Sequence, residues 1–556
     1  MRSIPKAGIS LVLLAACFAT TTTAQSLPDS TVQQIDKIFA VREGSPGFTV
    51  GIIRNDSLIF AKGYGLANVE YNIPNTPGSV YHMASVSKQF TAYSILLLEA
   101  QGKLQLADDI RKHLPWFPDL KHKITIRHLL NHTSGIRDHW DLNVLSGRRM
   151  DDVITQDYLL TLLSRQQGLN FKPGEEFLYS NSNYTLMAEI VKAVSGQTFR
   201  RFADSAIFKP LGMTVTHVHD DHTEVVPNRA YSYQPIGINR YSNAVLNYAN
   251  AGATSLFTDI RDMAKWVTNL YQPKIGSPAV LQKLTTKGVL NNGTVIPYAS
   301  GIVVDEYNGK KRFQHNGADA GYRTFLGVFP EERLGFLVFS NLATTNIGAK
   351  AAELMNVFFP PRPADLKKLD TSLTLWTDTT AIARFMGSYI AEDGVVFQYG
   401  LSNGKVYWTS LGPGQLLARG GADTLVVFSN PDVKFRFSTK GPDAVAEQYW
   451  PGGYRLLKRY TPPTKDTAVL ARELKEYTGT FYSPEVDSRY TFTVEKGVLQ
   501  LATPQSFTMK NGFEYIQKDF FRRGNFTIRF RRNSKGVVTG MELGTSRVRN
   551  LVFHKM

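Results

Sequence analysis

The chain has 556 residues, 43% of them hydrophobic and 20% charged, with a formal charge of +16 and a mean hydropathy of −0.20. Such a length suggests about three or four domains, and the composition excludes a disordered, collagen-like or disulfide-stapled chain. The single cysteine, Cys17, has no partner within the chain. Past the N-terminal segment, no apolar run reaches the ~18 residues that a membrane helix needs.

Arg2 and Lys6 precede an apolar run from Ile9 to Ala19, and small residues follow up to Ala24. A basic, then apolar, then small-residue order predicts an export signal over residues 1–24, cleaved after Ala24. Leu14-Ala15-Ala16-Cys17 allows a second reading, in which Cys17 carries a lipid anchor. Both place the protein outside the cytoplasm, either periplasmic or secreted.

Residues 25–360 read as mixed α and β. Thr31 to Val41 has helical spacing. Phe48–Ile53 and Leu58–Tyr64 are short strands joined through Arg54-Asn55-Asp56-Ser57, a hairpin turn. Ser85 to Gly102 reads as one helix and Asn183 to Val194 as another. Phe325–Val328 and Leu334–Phe339 form a second hairpin. The fold class predicted is α+β, an antiparallel sheet flanked by helices.

Phe359-Pro360-Pro361-Arg362-Pro363 opens a stiff linker over 361–378. Beyond it the pattern turns to alternating strands, and it repeats. Phe385-Met386-Gly387-Ser388-Tyr389 matches Tyr477-Thr478-Gly479-Thr480-Phe481, and Asn403-Gly404-Lys405 matches Lys496-Gly497-Val498. Two small β-barrel-like domains, 379–462 and 468–556, are the economical reading. A chain ending near Pro363 is expected to fold without them. From Ile516 to Met556 there are ten Lys or Arg against Asp519 and Glu542. Arg529 and Arg531 alternate with Phe526, Ile528 and Phe530. That face is either a solvated strand face or a surface for an anionic wall or envelope polymer. A nucleic-acid partner does not suit an exported chain.

The chemistry concentrates at Ser85-Val86-Ser87-Lys88. Of three S-x-x-K matches, those at Ser3 and Ser402 fall in the export signal and a strand turn; Ser85 alone opens a helix. At i and i+3 the Lys88 amine can reach the Ser85 hydroxyl, and an unactivated serine needs such a base. Tyr179-Ser180-Asn181 leads out of a loop into a helix, so its phenol can enter a cleft. Tyr241 and Tyr248 head similar triplets, which read as ordinary turn residues. His315-Asn316-Gly317 offers a small-residue strand edge for a substrate backbone. His128, His132 and His139 resemble metal ligands by composition, but no carboxylate joins them. Gly63-Tyr64-Gly65 lacks the third glycine of a dinucleotide site.

Ala84 to Ala92, Ile124 to Gly135 and Gly252 to Leu256, in that order, resemble segments of the penicillin-recognising serine hydrolases. The branch is that of class C β-lactamases, DD-peptidases, D-aminopeptidases and related esterases. This resemblance implies a catalytic domain over 25–360 and appended barrels of lipocalin-like type, which can lie near the active-site mouth. It also implies a Ser85 acyl-enzyme, with Lys88, Tyr179 and His315 in the proton path and a phenolate favoured on Tyr179. Asn181, Asn316, Gly317, Ala318 and Arg323 become substrate-binding, with the backbone N–H groups of Ser85 and Ala318 as the oxyanion hole. No cofactor or metal is needed. His315-Asn316-Gly317 stands where class C β-lactamases have Lys-Thr-Gly, which favours the peptidase, amidase and esterase members. A small peptide, amide or ester is the implied substrate. The competing class is a wall-binding or sensor protein that does not turn over. Oligomeric state is not legible.

Overall fold

The computed structural model describes residues 27–361, 375, 380–392, 394–409, 414–427, 430–438, 445–450, 453–461, 472–502 and 512–556. The expected export signal, Cys17 and most of the linker lie outside the described residues.

A six-stranded antiparallel sheet organises the first 360 residues. Its order is Val303–Tyr307, Lys310–Asp319, Tyr322–Phe329, Leu334–Ser340, Phe48–Arg54 and Ser57–Tyr64, so strands from both ends of the region lie side by side. The first hairpin turns through Asn55 and Asp56, with φ of 46° and 69°. These are the left-handed values a two-residue turn needs. Alternate residues face opposite sides of the sheet. Val50, Ile52, Phe336 and Val338 pack under the helices Asp29–Phe39 and Ile347–Phe358. Ile53, Leu326, Leu337 and Phe339 join the larger core around Phe90, Trp266 and Val267. Two strand glycines let the helix Ile260–Asn269 approach closely: a Cβ on Gly51 would sit 2.5 Å from Ile260, and one on Gly335 would sit 2.3 Å from Val267.

The duplicated tail forms two barrel-like units. The first is a closed barrel of eight strands from Gly387–Ala391 to Gly453–Tyr460; the second is an eight-stranded sheet that a Leu499–Phe513 bridge brings close to closure. The repeat holds in detail. Gly387 and Gly479 have φ of 126° and 120°, and a Cβ on either would press on a basic residue of the unit's last strand, Arg459 or Lys555. The matched turns Asn403-Gly404 and Lys496-Gly497 both take left-handed φ at two successive residues.

The second barrel is welded to the catalytic region. Tyr490 and Phe553 belong to the same buried apolar cluster as Leu142 and Leu145. The Tyr490 hydroxyl donates to the Leu145 carbonyl at 2.8 Å. Arg137 is 3% exposed, pairs with Glu485 at 2.6 Å and donates to the carbonyls of Arg549 and Asn550. These contacts argue against the expectation that a chain ending near Pro363 folds alone, because it would expose the apolar face that Tyr490 and Phe553 cover and leave Arg137 without Glu485. The basic strand is also engaged. Arg529 donates to the Glu392 carbonyl of the first barrel, Arg522 to that of Gly394, and Arg531 pairs with Glu542.

Glu485→Gln is expected to destabilise the protein by ~3–5 kcal/mol, the range for breaking a buried ion pair. A chain ending at Pro363 is expected to aggregate or melt without cooperativity. Thermal melting followed by circular dichroism checks both, and a monomeric truncation with unchanged Tm contradicts the docking.

Candidate active site

Ser85 lies in a 3₁₀ turn, Ala84–Ser87, that feeds the helix Lys88–Ala100. The sequence predicts a plain α-helix there, and the difference matters. At about three residues per turn, positions i and i+3 eclipse, which sets Lys88 directly over Ser85. Ala84, just before the nucleophile position, has φ of 48°. Such a left-handed alanine costs about 1–3 kcal/mol and persists where its surroundings over-determine it. The constraint is the strand Lys310–Asp319. A Cβ on Gly317 would fall 2.4 Å from the Met83 carbonyl and 2.2 Å from Thr324 Oγ1, and Thr324 Oγ1 itself donates to the Met83 carbonyl at 2.8 Å. Gly317 is thus a glycine because the strand presses on the turn that carries Ser85, in addition to any substrate that lies along its edge. Past Gln314 this strand has no partner on that edge among the described residues, since Val303–Tyr307 pairs only as far as Gln314.

Lys88 is fully buried and uses all three ammonium donors. It donates to Ser85 Oγ at 3.1 Å, Asn181 Oδ1 at 2.8 Å and the Ala253 carbonyl at 2.7 Å. Burial pulls its pKa down to about 7; Asp319 and Asp138 oppose that pull and Arg547 adds to it. Near neutrality a large fraction of Lys88 is therefore a free amine, with a lone pair available to the Ser85 proton. The Gly252-Ala253-Thr254-Ser255 segment wraps this turn. Besides the Ala253 carbonyl, it supplies the Gly252 carbonyl to Thr91 Oγ1 at 2.7 Å, and Thr254 Oγ1 holds Asp319.

Tyr179 enters from a loop pinned along His132-Thr133. Leu178 N–H donates to the His132 carbonyl at 3.0 Å, and Ser180 N–H donates to His132 Nδ1 at 3.2 Å. Lys88 Nζ lies 4.9 Å from the Tyr179 ring centroid. The phenol oxygen is buried without a formed hydrogen bond, and Ser85 is the hydroxyl within its reach. Burial raises the Tyr179 pKa, with Ser85 and Arg547 only partly opposing it. The phenolate expected from the resemblance is therefore corrected to a neutral phenol, because desolvation outweighs the nearby cations.

His315 is neutral as well. Burial lowers its pKa to about 4. Its Nδ1 donates to the Asn316 carbonyl at 2.7 Å, and its Nε2 is held by the Tyr298 hydroxyl at 3.1 Å. Both nitrogens are occupied, so the imidazole braces the Tyr298, His132 and Tyr179 ring cluster. Asn181 is also largely spoken for. Its Oδ1 takes Lys88, and its Nδ2 and backbone N–H donate to Asp138 Oδ2 at 2.8 Å and 2.7 Å. One amide hydrogen remains for a substrate. Asn316 and Ala318 are exposed along the strand edge. Arg323 donates Nη1 to the Ala320 and Tyr322 carbonyls at 3.1 Å and 2.7 Å. Tyr248 is buried against His82 and Trp140, and Tyr241 bonds Ser45. Among the described residues His128, His132 and His139 form no metal-like cluster; His128 caps the helix Ile126–Leu130.

Sequence reasoning misses two residues. Asp138 is fully buried and caps the helix His139–Leu145 while anchoring Asn181. Its helix-capping position was a readable signal. Arg547 had none, for it comes from the second barrel. The loop 545–550 reaches the mouth of the site: Thr545 Oγ1 and Arg547 N–H donate to Asp141 across 404 and 406 residues of sequence. Arg547 places its guanidinium 5.1 Å from the Tyr179 ring centroid and 3.6 Å from Asp138 Oδ2, its side chain 39% exposed. Arg549 forms a bidentate pair with Glu176 at the rim.

The Beta-lactamase family matches residues 29–356, more than half of the sequence. The chain belongs to that family. Penicillin-binding protein 4* of Bacillus subtilis (strain 168) is 29% identical over 426 residues, covering 71% of this chain and 90% of the relative. A D-aminopeptidase of Brucella anthropi is 23% identical over 536 residues, covering 92% and 95%. Among solved structures, D-amino acid amidase from Ochrobactrum anthropi SV3 superposes with a TM-score of 0.51 at 20% identity, covering 59% of this chain and 99% of its own. An octameric penicillin-binding protein homologue from Pyrococcus abyssi gives 0.53 at 22%, covering 77% and 98%. Family membership makes the protein a serine hydrolase.

Two outcomes are expected. Arg547→Ala removes a charge that depresses the Lys88 pKa, so the acid limb of kcat/KM, near pH 7 in the wild type, moves to higher pH. A pH–rate profile reads it, and an unmoved limb contradicts the coupling. Gly317→Ala forces the strand off the Ser85 turn; it is expected to lower kcat by more than ~10-fold, as a small misplacement near the chemistry does.

Proposed function

We propose that this is an exported hydrolase of D-amino-acid-containing peptides or amides, working through an acyl-enzyme on Ser85. The observation that carries it is the buried Lys88 amine, held 3.1 Å from Ser85 Oγ and poised near neutrality. In the proposed sequence Lys88 Nζ takes the Ser85 proton as Oγ bonds to the carbonyl carbon. The backbone N–H groups of Ser85 and Ala318 donate to the developing oxyanion. Tyr179, kept protonated by burial, delivers a proton to the departing nitrogen and is refilled from Lys88. Water then attacks the acyl carbon with the same pair reversed. His315 and Asn181 position Tyr179 and Lys88, and Asn316 and Gly317 line the edge along which the substrate lies.

The names of the relatives, D-aminopeptidase and D-amino acid amidase, support the D-configured amide. The loop from the second barrel refines it. Residues 544–550 contain no acidic side chain and bring Arg547 to the mouth. A carboxylate on the substrate suits that loop better than a free amine does. Export rests on the basic and apolar N-terminal segment. A wall-polymer surface finds less support, because Arg531, Arg532 and Arg549 pair with Glu542, Asp519 and Glu176, and Arg529 donates to the Glu392 carbonyl.

A panel of D-alanyl amides, p-nitrophenyl esters and a chromogenic cephalosporin tests the reading. Ser85→Ala is expected to abolish fluorophosphonate labelling, seen by intact mass, and to cut turnover at least ~10³-fold. Arg547→Glu is expected to lower kcat/KM for carboxylate-bearing amides relative to their amine-bearing counterparts. Full labelling of Ser85→Ala would sink the nucleophile; equal ratios in Arg547→Glu would sink the anion preference alone.

A further inference from the structure

A second group of chemistry-bearing side chains sits behind the site, on the short strand His217–Val218 and the turn that follows it. One ligating atom each from His217, His219 and Glu224 lie within 4.8 Å of one another. Two of the three are conspicuously unsatisfied. His217 sits with Nδ1 3.2 Å from the Val215 carbonyl, which puts its proton there, and its Nε2 is buried with no partner. His219 is 1% exposed, and its Nδ1 is buried with no partner while facing Glu224 Oε2 at 3.6 Å. As a donor that nitrogen is too far away to bond; as an acceptor it confronts a second acceptor. A buried polar atom left in that state costs ~1–3 kcal/mol.

The carboxylate is prepared from outside. Arg200 donates Nη1 to Glu224 Oε2 at 2.7 Å and Nη2 to Oε1 at 2.6 Å, and also reaches Asp220 at 3.0 Å. The pairing keeps Glu224 ionised and fixes its plane, and each oxygen retains a second lone pair. Imidazoles whose other nitrogen bonds a backbone carbonyl, and carboxylates oriented by an outer partner, are how proteins hold metal ligands.

We propose that His217 Nε2, His219 Nδ1 and Glu224 bind one divalent metal ion of the zinc class. Two nitrogens and one oxygen suit zinc better than calcium or magnesium, and leave a position for water. Phe257 pairs with both His82 and His217 across the small sheet, and its ring separates the cluster from His82, whose Nδ1 accepts the Ala84 N–H next to Ser85. Metal binding therefore ties the 219–224 turn to the sheet that supports the nucleophile turn, without touching the reacting atoms.

The test uses full-length protein stripped with a chelator and titrated with zinc by calorimetry, with cobalt(II) as the spectroscopic probe. One ion per chain is expected, with the visible bands of four- or five-coordinate cobalt and a Tm that rises with added metal. His219→Ala and His217→Asn are each expected to weaken binding at least ~10-fold, and Glu224→Gln to weaken it as well. Zinc well below one per chain overturns the proposal, as does unchanged affinity in His217→Asn. The latter variant alters a half-exposed side chain, so it keeps the test open should His219→Ala fail to fold.

Discussion

Everything at the Ser85 site depends on one buried amine. Lys88 gives all three of its donors to oxygen, which by itself would favour the ammonium. Burial nonetheless brings its pKa from 10.5 to about 7, a bias of roughly 5 kcal/mol toward the neutral form. Each acceptor comes from a different part of the chain: Ser85 from the 3₁₀ turn, Asn181 from the start of the helix Asn181–Ser195, Ala253 from the segment after Tyr248. The fold therefore has to bring two distant segments, besides the turn of Lys88 itself, to within 3.1 Å of one nitrogen. Gly317, Gly252 and the left-handed Ala84 are the local concessions that permit it. At Gly252 a Cβ would lie 2.2 Å from the Tyr184 carbonyl.

The second barrel is part of that arrangement. Asp138, with full negative charge and no exposure, stands one hydrogen bond from Asn181 and thus two from Lys88. Arg547 is its counter-charge and arrives from the barrel. The Arg137–Glu485 pair and the shared apolar core make this docking a fixed interface, in contrast to a tethered module. Charge balance at the site and the position of the barrel are the same fact seen from two sides. An amine-binding mouth would want an acid on that loop; this chain presents two arginines, one of them already matched to Glu176.

Much of this was legible in the sequence. The S-x-x-K spacing put Lys88 on Ser85, and the hairpin over Asn55-Asp56 and both glycine-led repeats in the tail came from turn chemistry that is local by nature. What was not legible is non-local or solvent-dependent. The charge states of Tyr179 and His315 are set by burial, which composition does not reveal, so a phenolate was expected where Tyr179 is a neutral phenol. Gly317 was read as room for substrate, whereas its closest neighbours are Met83 and Thr324. Arg547 could not be connected to the site by any pattern, because more than 400 residues separate it from Asp141. His217, His219 and Glu224 escaped for a different reason: the spacing is short enough to see, but ordinary turn residues share it.

The central claim is that Lys88 is partly a free amine at neutral pH. Lysine-selective ¹³Cε NMR of the full-length protein, with Lys88→Ala to assign the signal, measures it directly. One lysine resonance should titrate with a midpoint near 7 and vanish in Lys88→Ala, while the others titrate above ~10. If every lysine, Lys88 included, remains charged to that range, the amine cannot be the base that activates Ser85.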